Sequence, residues 1–141
     1  MIMQSDDTPI RKLIADRDLA LGRKDMDAYM AHYAPDVVIY DAIPPWKTRG
    51  TAAFHRTWED CLPCFPDNFS IEMRDITIFV HGEIAAADWL WHFTGKEKDH
   101  PAMQSWMRNS TIFERKQDTW MIVHEHYSVP FDPNTSSGAD P

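Results

Sequence analysis

The chain has 141 residues and a formal net charge of −8 at pH 7, and one domain of this size buries roughly two thirds of its unfolded surface. So acidic a composition argues against nucleic-acid binding, which needs a concentrated basic surface. No apolar run approaches the ~20 residues that span a bilayer, and residues 1–9 lack the pattern of a signal peptide. We therefore expect a cytoplasmic protein that binds neither nucleic acid nor membrane.

The first part of the chain predicts helices. Thr8-Pro9 is a typical helix start, and apolar residues then recur at helical spacing as far as Gly22. Asp25 is expected to cap a second, short helix, and Thr51 a third helix that runs to Asp60.

A strand and a rigid loop separate the second and third predicted helices. Val37–Asp41 reads as a short strand. Ile43–Trp46 contains two prolines, which remove backbone donors and fix φ, so this segment is expected to be an ordered loop.

The remainder predicts an antiparallel meander. Four long segments rich in β-branched and aromatic residues are separated by short polar turns: Phe69–Val80, Glu83–Gly95, Met103–Lys116 and Trp120–Val129. Helices followed by such a meander indicate an α+β domain, with about three N-terminal helices packed on one face of a strongly curved antiparallel sheet. We expect one domain over residues 1–132 and a disordered tail over residues 133–141.

Polar residues on the last two strands suggest a pocket. Side chains alternate along a strand, so His124 and His126 share one face, as do Arg108 and Ser110 on the neighbouring strand. We predict that the faces carrying Arg108 and the two histidines line a cavity. His92 is expected to look into the same space.

The two histidines allow three interpretations. They could be metal ligands, with a third ligand from Asp41 or His92. They could relay a proton as neutral imidazoles, or one could be held structurally by the turn at residues 128–132. We expect no metal and no cofactor, because the sequence shows no other cluster of ligand residues.

Three further residues complete the predicted site. Asp41 ends a strand beside an apolar loop, where burial would raise its pKa and suit it to proton transfer; the alternative is a cap that holds the loop. Arg108 either pairs with Asp41 or Glu125, or binds a ligand oxygen. Trp46 is expected to form a flat wall for the ligand.

The tryptophans and cysteines carry separate expectations. Trp89, Trp91 and Phe93 share a strand face that would be exposed if the helices cover the other face, which predicts a homodimer through this stripe.

Cys61 and Cys64 lie at the end of a predicted helix, where the dipole disfavours a thiolate. We expect two free thiols.

Two segments resemble the nuclear transport factor two-like superfamily, in its SnoaL-like and ketosteroid isomerase-like branch. They are YAPDVVIYDAIPPWKTRGTAAF at Tyr33–Phe54, and the stretch from Trp106-x-Arg108 to HEHYSVPFD at His124–Asp132. The resemblance covers about residues 10–132 and implies a cone-shaped α+β barrel around one deep pocket, usually in a homodimer. It places Asp41 at the position of the isomerase base, and Trp106 and Arg108 in a segment that we expect to bind ligand.

Two departures argue against a steroid isomerase. The isomerase's tyrosine donor corresponds to Arg17 and its neutral carboxylic acid to Thr111, and neither supplies the same short hydrogen bonds to an enolate. We expect a cofactor-independent acid/base enzyme acting on a small apolar or aromatic carbonyl compound. Asp41 would move the proton, His124 or His126 would relay it, and Arg108 would stabilise oxyanion charge. The alternative is a non-catalytic ligand-binding or oligomerisation domain of the same fold.

Overall fold

The computed structural model describes residues 6–135 and 137–138. Three α-helices form one layer of the protein. They are α1 (Thr8–Gly22), α2 (Met26–Met30) and α3 (Thr51–Cys61). As predicted, Pro9 lies in the first turn of α1, and the Asp25 side chain caps α2 by accepting from Ala28 N at 3.1 Å. The cap of α3 is Gly50 at φ 90°, and not Thr51 as predicted, because the backbone there enters the region that favours glycine.

Six strands form one mixed sheet against these helices. Their bounds are β1 (Tyr33–Tyr40), β2 (Thr48–Arg49), β3 (Ser70–His81), β4 (Ile84–Thr94), β5 (Trp106–Lys116) and β6 (Thr119–Ser128). The spatial order is β2-β1-β6-β5-β4-β3. Strands β3 to β6 form the predicted antiparallel meander, whereas β1 pairs with β6 in parallel. The α+β class and the cone-type architecture are confirmed, with this one parallel pair as the difference.

Two short strands follow β6 near the C-terminal end of the described residues. Phe131–Asp132 (β7) and Ser137–Gly138 (β8) pair as a small antiparallel hairpin. Residues 133–135 form its turn, while residues 136 and 139–141 of the predicted tail lie outside the described residues.

The inner face of the sheet carries the core, and it is the face opposite to the one predicted. Trp89, Trp91 and Phe93 of β4 are 3%, 6% and 4% exposed and pack beneath the helices. The expectation that this stripe is a solvent-facing dimer surface is therefore wrong. Aromatic rings of this size fill the space between helices and sheet, which smaller side chains would leave empty.

A bulge decides which residues of β6 face inward. Pairing shifts between Ile112 opposite His124 and Phe113 opposite Ile122, so Val123 is an extra residue in β6. An extra residue reverses the alternation beyond it. Ile122 is buried before the bulge, and Glu125 is buried after it.

Candidate active site

The inner face of the sheet and helix α3 enclose an apolar cavity of about 190 Å³. Its mouth lies at the loop that follows β1. Asp41 is the one charged side chain among the lining residues in the described part of the chain. Apart from Thr57, whose hydroxyl donates to the Ala53 carbonyl oxygen at 3.2 Å, the other lining residues are aromatic, aliphatic or sulfur-bearing: Ala42, Ile43, Trp58, Cys61, Phe65, Trp91, Phe93, Met107 and Tyr127.

Asp41 is half-buried at the mouth of this cavity, directly after β1 ends. Its Oδ1 accepts a hydrogen bond from the backbone N–H of Ala42 at 2.7 Å. Burial raises the pKa of Asp41; the backbone N–H groups of Ala42 and Ile43 oppose that rise, and the negative charge of Glu125 adds to it. The same carboxylate therefore accepts a hydrogen bond from the loop backbone and borders an apolar space, and its role in proton transfer stays a prediction.

Behind the cavity, five side chains surround the fully buried carboxylate of Glu125. Arg17 Nη1 and Thr111 Oγ1 each lie 2.6 Å from Glu125 Oε2. Tyr127 donates to Oε1 at 2.5 Å, and Tyr33 also donates to Oε1. Asn109 Nδ2 completes the set at 3.3 Å from Oε2. This carboxylate cluster, as we call Glu125 and its five donors, lies within the core of the protein.

The cluster keeps Glu125 ionised. Burial alone would raise the pKa of Glu125, but the Arg17 charge and the hydrogen bonds from Thr111, Tyr127 and Tyr33 together lower it. Burial would lower the pKa of Arg17, but Glu125 together with Tyr33, Asp18 and Tyr127 outweighs burial, so the pKa of Arg17 is raised. Burial and the Glu125 charge raise the pKa of both Tyr33 and Tyr127 well above 10. The result is a buried ion pair with neutral phenols around it.

Tyr127 joins the cluster to the cavity. Its side chain lines the cavity, and its hydroxyl bonds to Glu125. Its ring packs against Trp91 with 5.3 Å between centroids. The ion pair therefore holds one wall of the cavity in place.

His124 and His126 lie on the outer face of the sheet, and not in the cavity. Each imidazole packs nearly perpendicular to the ring of Tyr40, with centroids 5.1 Å apart for His124 and 5.6 Å apart for His126. Glu125 and Tyr127 occupy the inner face instead, because the bulge reverses the alternation along β6. The predicted placement of both histidines was wrong.

Arg108 is also on the outer face. It is exposed, and its Nε donates to Ser128 Oγ at 3.1 Å. Arg108 shares this face with His126, since Arg108 lies opposite Ser128 and Ser110 lies opposite His126 in the register of β5 and β6. That face points away from the cavity, and the arginine that pairs with Glu125 is Arg17.

The other predicted ligand-binding residues are outside the cavity. His92 Nε2 lies 2.6 Å from the carbonyl oxygen of Met103, and its ring stacks on Trp106 at 4.9 Å between centroids. Arg74 covers the Trp106 ring at 4.2 Å from its centroid. Trp46 is 97% exposed and lines a shallow depression outside Asp41.

The cysteines and possible metal ligands complete the description. Cys61 and Cys64 are free thiols, as predicted. Burial, with the Asp41 charge as a second cause, raises the pKa of Cys61 to about 11. Within residues 6–135 and 137–138, no three His, Cys, Asp or Glu side chains come together in a group that could hold a metal ion. The expectation of a metal-free protein stays a prediction.

Sequence reasoning missed the carboxylate cluster. Its members come from α1, β1, β5 and β6, so no local spacing unites them. One signal was available, because Arg17 follows Ile10, Leu13 and Ile14 on the apolar face of α1, where an arginine needs a buried partner.

Comparisons with known proteins agree with this architecture. A solved structure of an NTF2-like protein of unknown function from Pseudomonas putida KT2440 is similar with a TM-score of 0.86 and 29% identity, over 98% of this chain and 97% of that one. A candidate ketosteroid isomerase from Parabacteroides distasonis has a TM-score of 0.69 and 18% identity, over 92% and 98%. A candidate aromatic ring hydroxylase from Novosphingobium aromaticivorans has a TM-score of 0.71 and 16% identity, over 95% and 93%.

At 18% and 16% identity, the structures from Parabacteroides distasonis and Novosphingobium aromaticivorans show that the fold is shared, and not that the reaction is shared. No curated protein matched the chain. The helices in the part of the chain that the structure describes are all too short or too polar to cross a membrane. The family model of the SnoaL-like domain matches residues 10–132. The chain therefore belongs to the SnoaL-like domain family of the NTF2-like superfamily, as its sequence motifs indicated.

Proposed function

We propose that this protein is a small acid/base enzyme of isomerase, cyclase or lyase type. Its substrate would be a small apolar or aromatic carbonyl compound, and the reaction would use no cofactor. The observation that carries this proposal is Asp41, a half-buried carboxylate with a raised pKa at the mouth of an otherwise apolar cavity. A carboxylate in such a place is a stronger base than one in water.

The proposed chemistry begins with proton abstraction from the carbon next to the substrate carbonyl. Asp41 takes the proton, and the electron pair of the broken C–H bond moves onto the carbonyl oxygen to give an enolate. If the proton on Asp41 is first replaced by a deuteron from solvent, its delivery to the same carbon gives isotope exchange. Delivery of the proton to a conjugated carbon gives isomerisation. Arg108 has no part in this proposal, because it lies on the other face of the sheet.

The size of the cavity supports a one-ring substrate. An apolar cavity of about 150 Å³ holds benzene, so about 190 Å³ suits one ring with a short substituent. A four-ring steroid needs more space. Arg17 and Thr111, which correspond to the isomerase's enolate donors, are both bonded to Glu125, which further argues against a steroid isomerase.

Deuterium exchange tests the proposal. Acetophenone is incubated with the protein in D2O, and deuterium uptake at its methyl group is followed by NMR. We expect exchange above the buffer rate with the unmodified protein, and its loss with Asp41→Asn. Asp36→Asn, which removes an exposed carboxylate from β1, the strand that Asp41 follows, is the matched control and should leave the rate unchanged.

The outcomes separate the enzyme from a binding domain. Equal exchange by Asp41→Asn and the unmodified protein would refute Asp41 as the base. Binding of acetophenone without any exchange would favour the alternative, a non-catalytic ligand-binding domain of the same fold.

We also infer a homodimer through the outer face of the sheet. Exposed apolar side chains lie across four strands of this face: Tyr40, Phe79, Ile84 and Ile112. Ile112→Glu should shift sedimentation from dimer to monomer, while Leu19→Glu, an exposed apolar position on α1, should not. A monomer in the unmodified protein at micromolar concentration would contradict the inference.

A further inference from the structure

The loop after β1 exposes a row of apolar side chains beside the mouth of the cavity. Ile43 is 50% exposed and Trp46 is 97% exposed, and Pro44 and Pro45 between them are exposed as well. Of the six tryptophans, all within the described residues, only Trp46 is exposed. Single apolar side chains on a surface are ordinary, whereas contiguous apolar patches mark interfaces or ligand-binding grooves.

The same loop borders two concave spaces that meet at its first residues. Asp41, Ala42 and Ile43 line the apolar cavity of about 190 Å³, and they also line an outer depression of about 390 Å³. The rest of the depression is lined by residues 44–46. A ligand that continues from the cavity into the depression therefore passes the Asp41 carboxylate.

The two spaces differ in what they can hold. The inner cavity suits one ring, since an apolar cavity of about 150 Å³ holds benzene, so a second ring of the same ligand has to lie outside it. In the outer depression the exposed indole ring of Trp46 is available to pack against such a ring. Two consecutive prolines fix φ in the wall, so the loop loses little conformational freedom when a ligand binds.

We propose that the outer depression is a second binding subsite, in which Trp46 packs against an apolar or aromatic group of the substrate. This inference rests on the proposed function and narrows its substrate class to ketones whose acidic carbon joins two groups, one for the cavity and one for the depression. Asp41 borders both spaces, so the carbon between the two groups lies beside the base.

A pair of ketones that differ by one ring tests the subsite. Acetophenone fills only the inner cavity, whereas deoxybenzoin, which carries a second phenyl ring on the acidic carbon, fills both spaces. Dissociation constants of both are measured by NMR titration for the unmodified protein, Trp46→Ala and Phe131→Ala. Trp46→Ala removes a side chain that is outside the core. Phe131→Ala is the matched control, because Phe131 is a 69% exposed aromatic residue that lines neither space.

The result is read from the ratio of the two dissociation constants, acetophenone over deoxybenzoin. The unmodified protein should bind deoxybenzoin more tightly, so its ratio should be above unity. In Trp46→Ala we expect the ratio to fall roughly 2- to 12-fold, the range for one aromatic pair, while the dissociation constant of acetophenone stays the same. In Phe131→Ala the ratio should not change.

A second measurement observes Trp46 directly. In protein labelled with ¹⁵N-tryptophan, deoxybenzoin should shift the indole N–H signal of Trp46, and acetophenone should not. If both ketones bind but the ratio is unchanged in Trp46→Ala and the Trp46 signal does not move, the outer subsite is overturned while the inner cavity stands as the ligand pocket. If neither ketone binds the unmodified protein, the proposed function and this inference both fail.

Discussion

Replacing Glu125 by glutamine tests the carboxylate cluster most severely. Glutamine keeps the shape of the side chain but puts an amide NH2 group where the five donors need an acceptor. It also removes the charge that opposes Arg17 inside the core. Arg17 retains one other carboxylate partner, Asp18, whose Oδ1 lies 3.0 Å from Nη2.

The expected loss in the free energy of unfolding is large. Breaking a buried ion pair by removing one partner costs about 3–5 kcal/mol, and Asp18 places our expectation near the lower end, at about 3 kcal/mol. For a chain of this length that corresponds to a fall in melting temperature of roughly 10 °C. The loss should shrink towards acid pH. Because the folded-state pKa of Glu125 is lowered, its stabilisation is present above the ordinary carboxyl pKa and disappears as pH falls through the folded-state value.

Urea unfolding at neutral pH measures this change, with Glu83→Gln as the matched control. Glu83 and Arg115 also form a glutamate–arginine pair, with 2.8 Å between Oε1 and Nη2, but on the surface. Removing a solvent-exposed pair of this kind should leave the unfolding midpoint within experimental error. The double variant Arg17→Met with Glu125→Gln should recover part of the loss. A Glu125→Gln protein within about 1 kcal/mol of the unmodified one would refute the reasoning.

Three other substitutions or modifications have defined outcomes. Asp41→Asn should be more stable than the unmodified protein, by an amount that grows as pH rises above 3.8. The folded-state pKa of Asp41 is raised, so the unmodified protein loses stability as pH rises and Asp41 ionises. Parallel stability–pH curves of the two proteins in thermal unfolding would contradict this. Gly22→Ala should destabilise the protein by about 1–3 kcal/mol in urea unfolding, because its Cβ would lie 2.3 Å from the Phe69 carbonyl oxygen; an unchanged midpoint would show that the backbone yields easily. Iodoacetamide at pH 8 should modify exposed Cys64 before Cys61, whose pKa of about 11 leaves about one thiolate in a thousand; equal rates by peptide mass mapping would contradict the burial of Cys61.

Local patterns predicted the elements well, because they depend on neighbours in sequence. The helix at Thr8–Gly22 follows from proline in the first turn and apolar spacing, and the meander follows from β-rich segments with short turns. The parallel pairing of β1 with β6 joins residues such as Val38 and His124. Their separation along the chain gives no local signal.

The predicted site failed first at the assignment of the sheet's faces: Trp89 and Trp91 face the helices, so Arg108 on the opposite face points outward. A bulge in β6 hid which of its residues share the inner face. Strict alternation would place His124 and His126 on the same face as Ile122. Because of the bulge at Val123, both histidines point to the opposite face. A single extra residue leaves almost no trace in composition or spacing. Asp41 was predicted to lie at the cavity because it ends a strand before a rigid loop, a signal that is independent of alternation.

The dependence of deuterium exchange on pH tests the central claim most directly, because it identifies the base. We predict that exchange of acetophenone rises with pH through one ionisation above 3.8, the ordinary aspartate value from which Asp41 is raised. That step should vanish in Asp41→Asn and persist in His124→Ala and His126→Ala. An ionisation step that survives Asp41→Asn and is lost when either outer-face histidine is replaced would contradict the account.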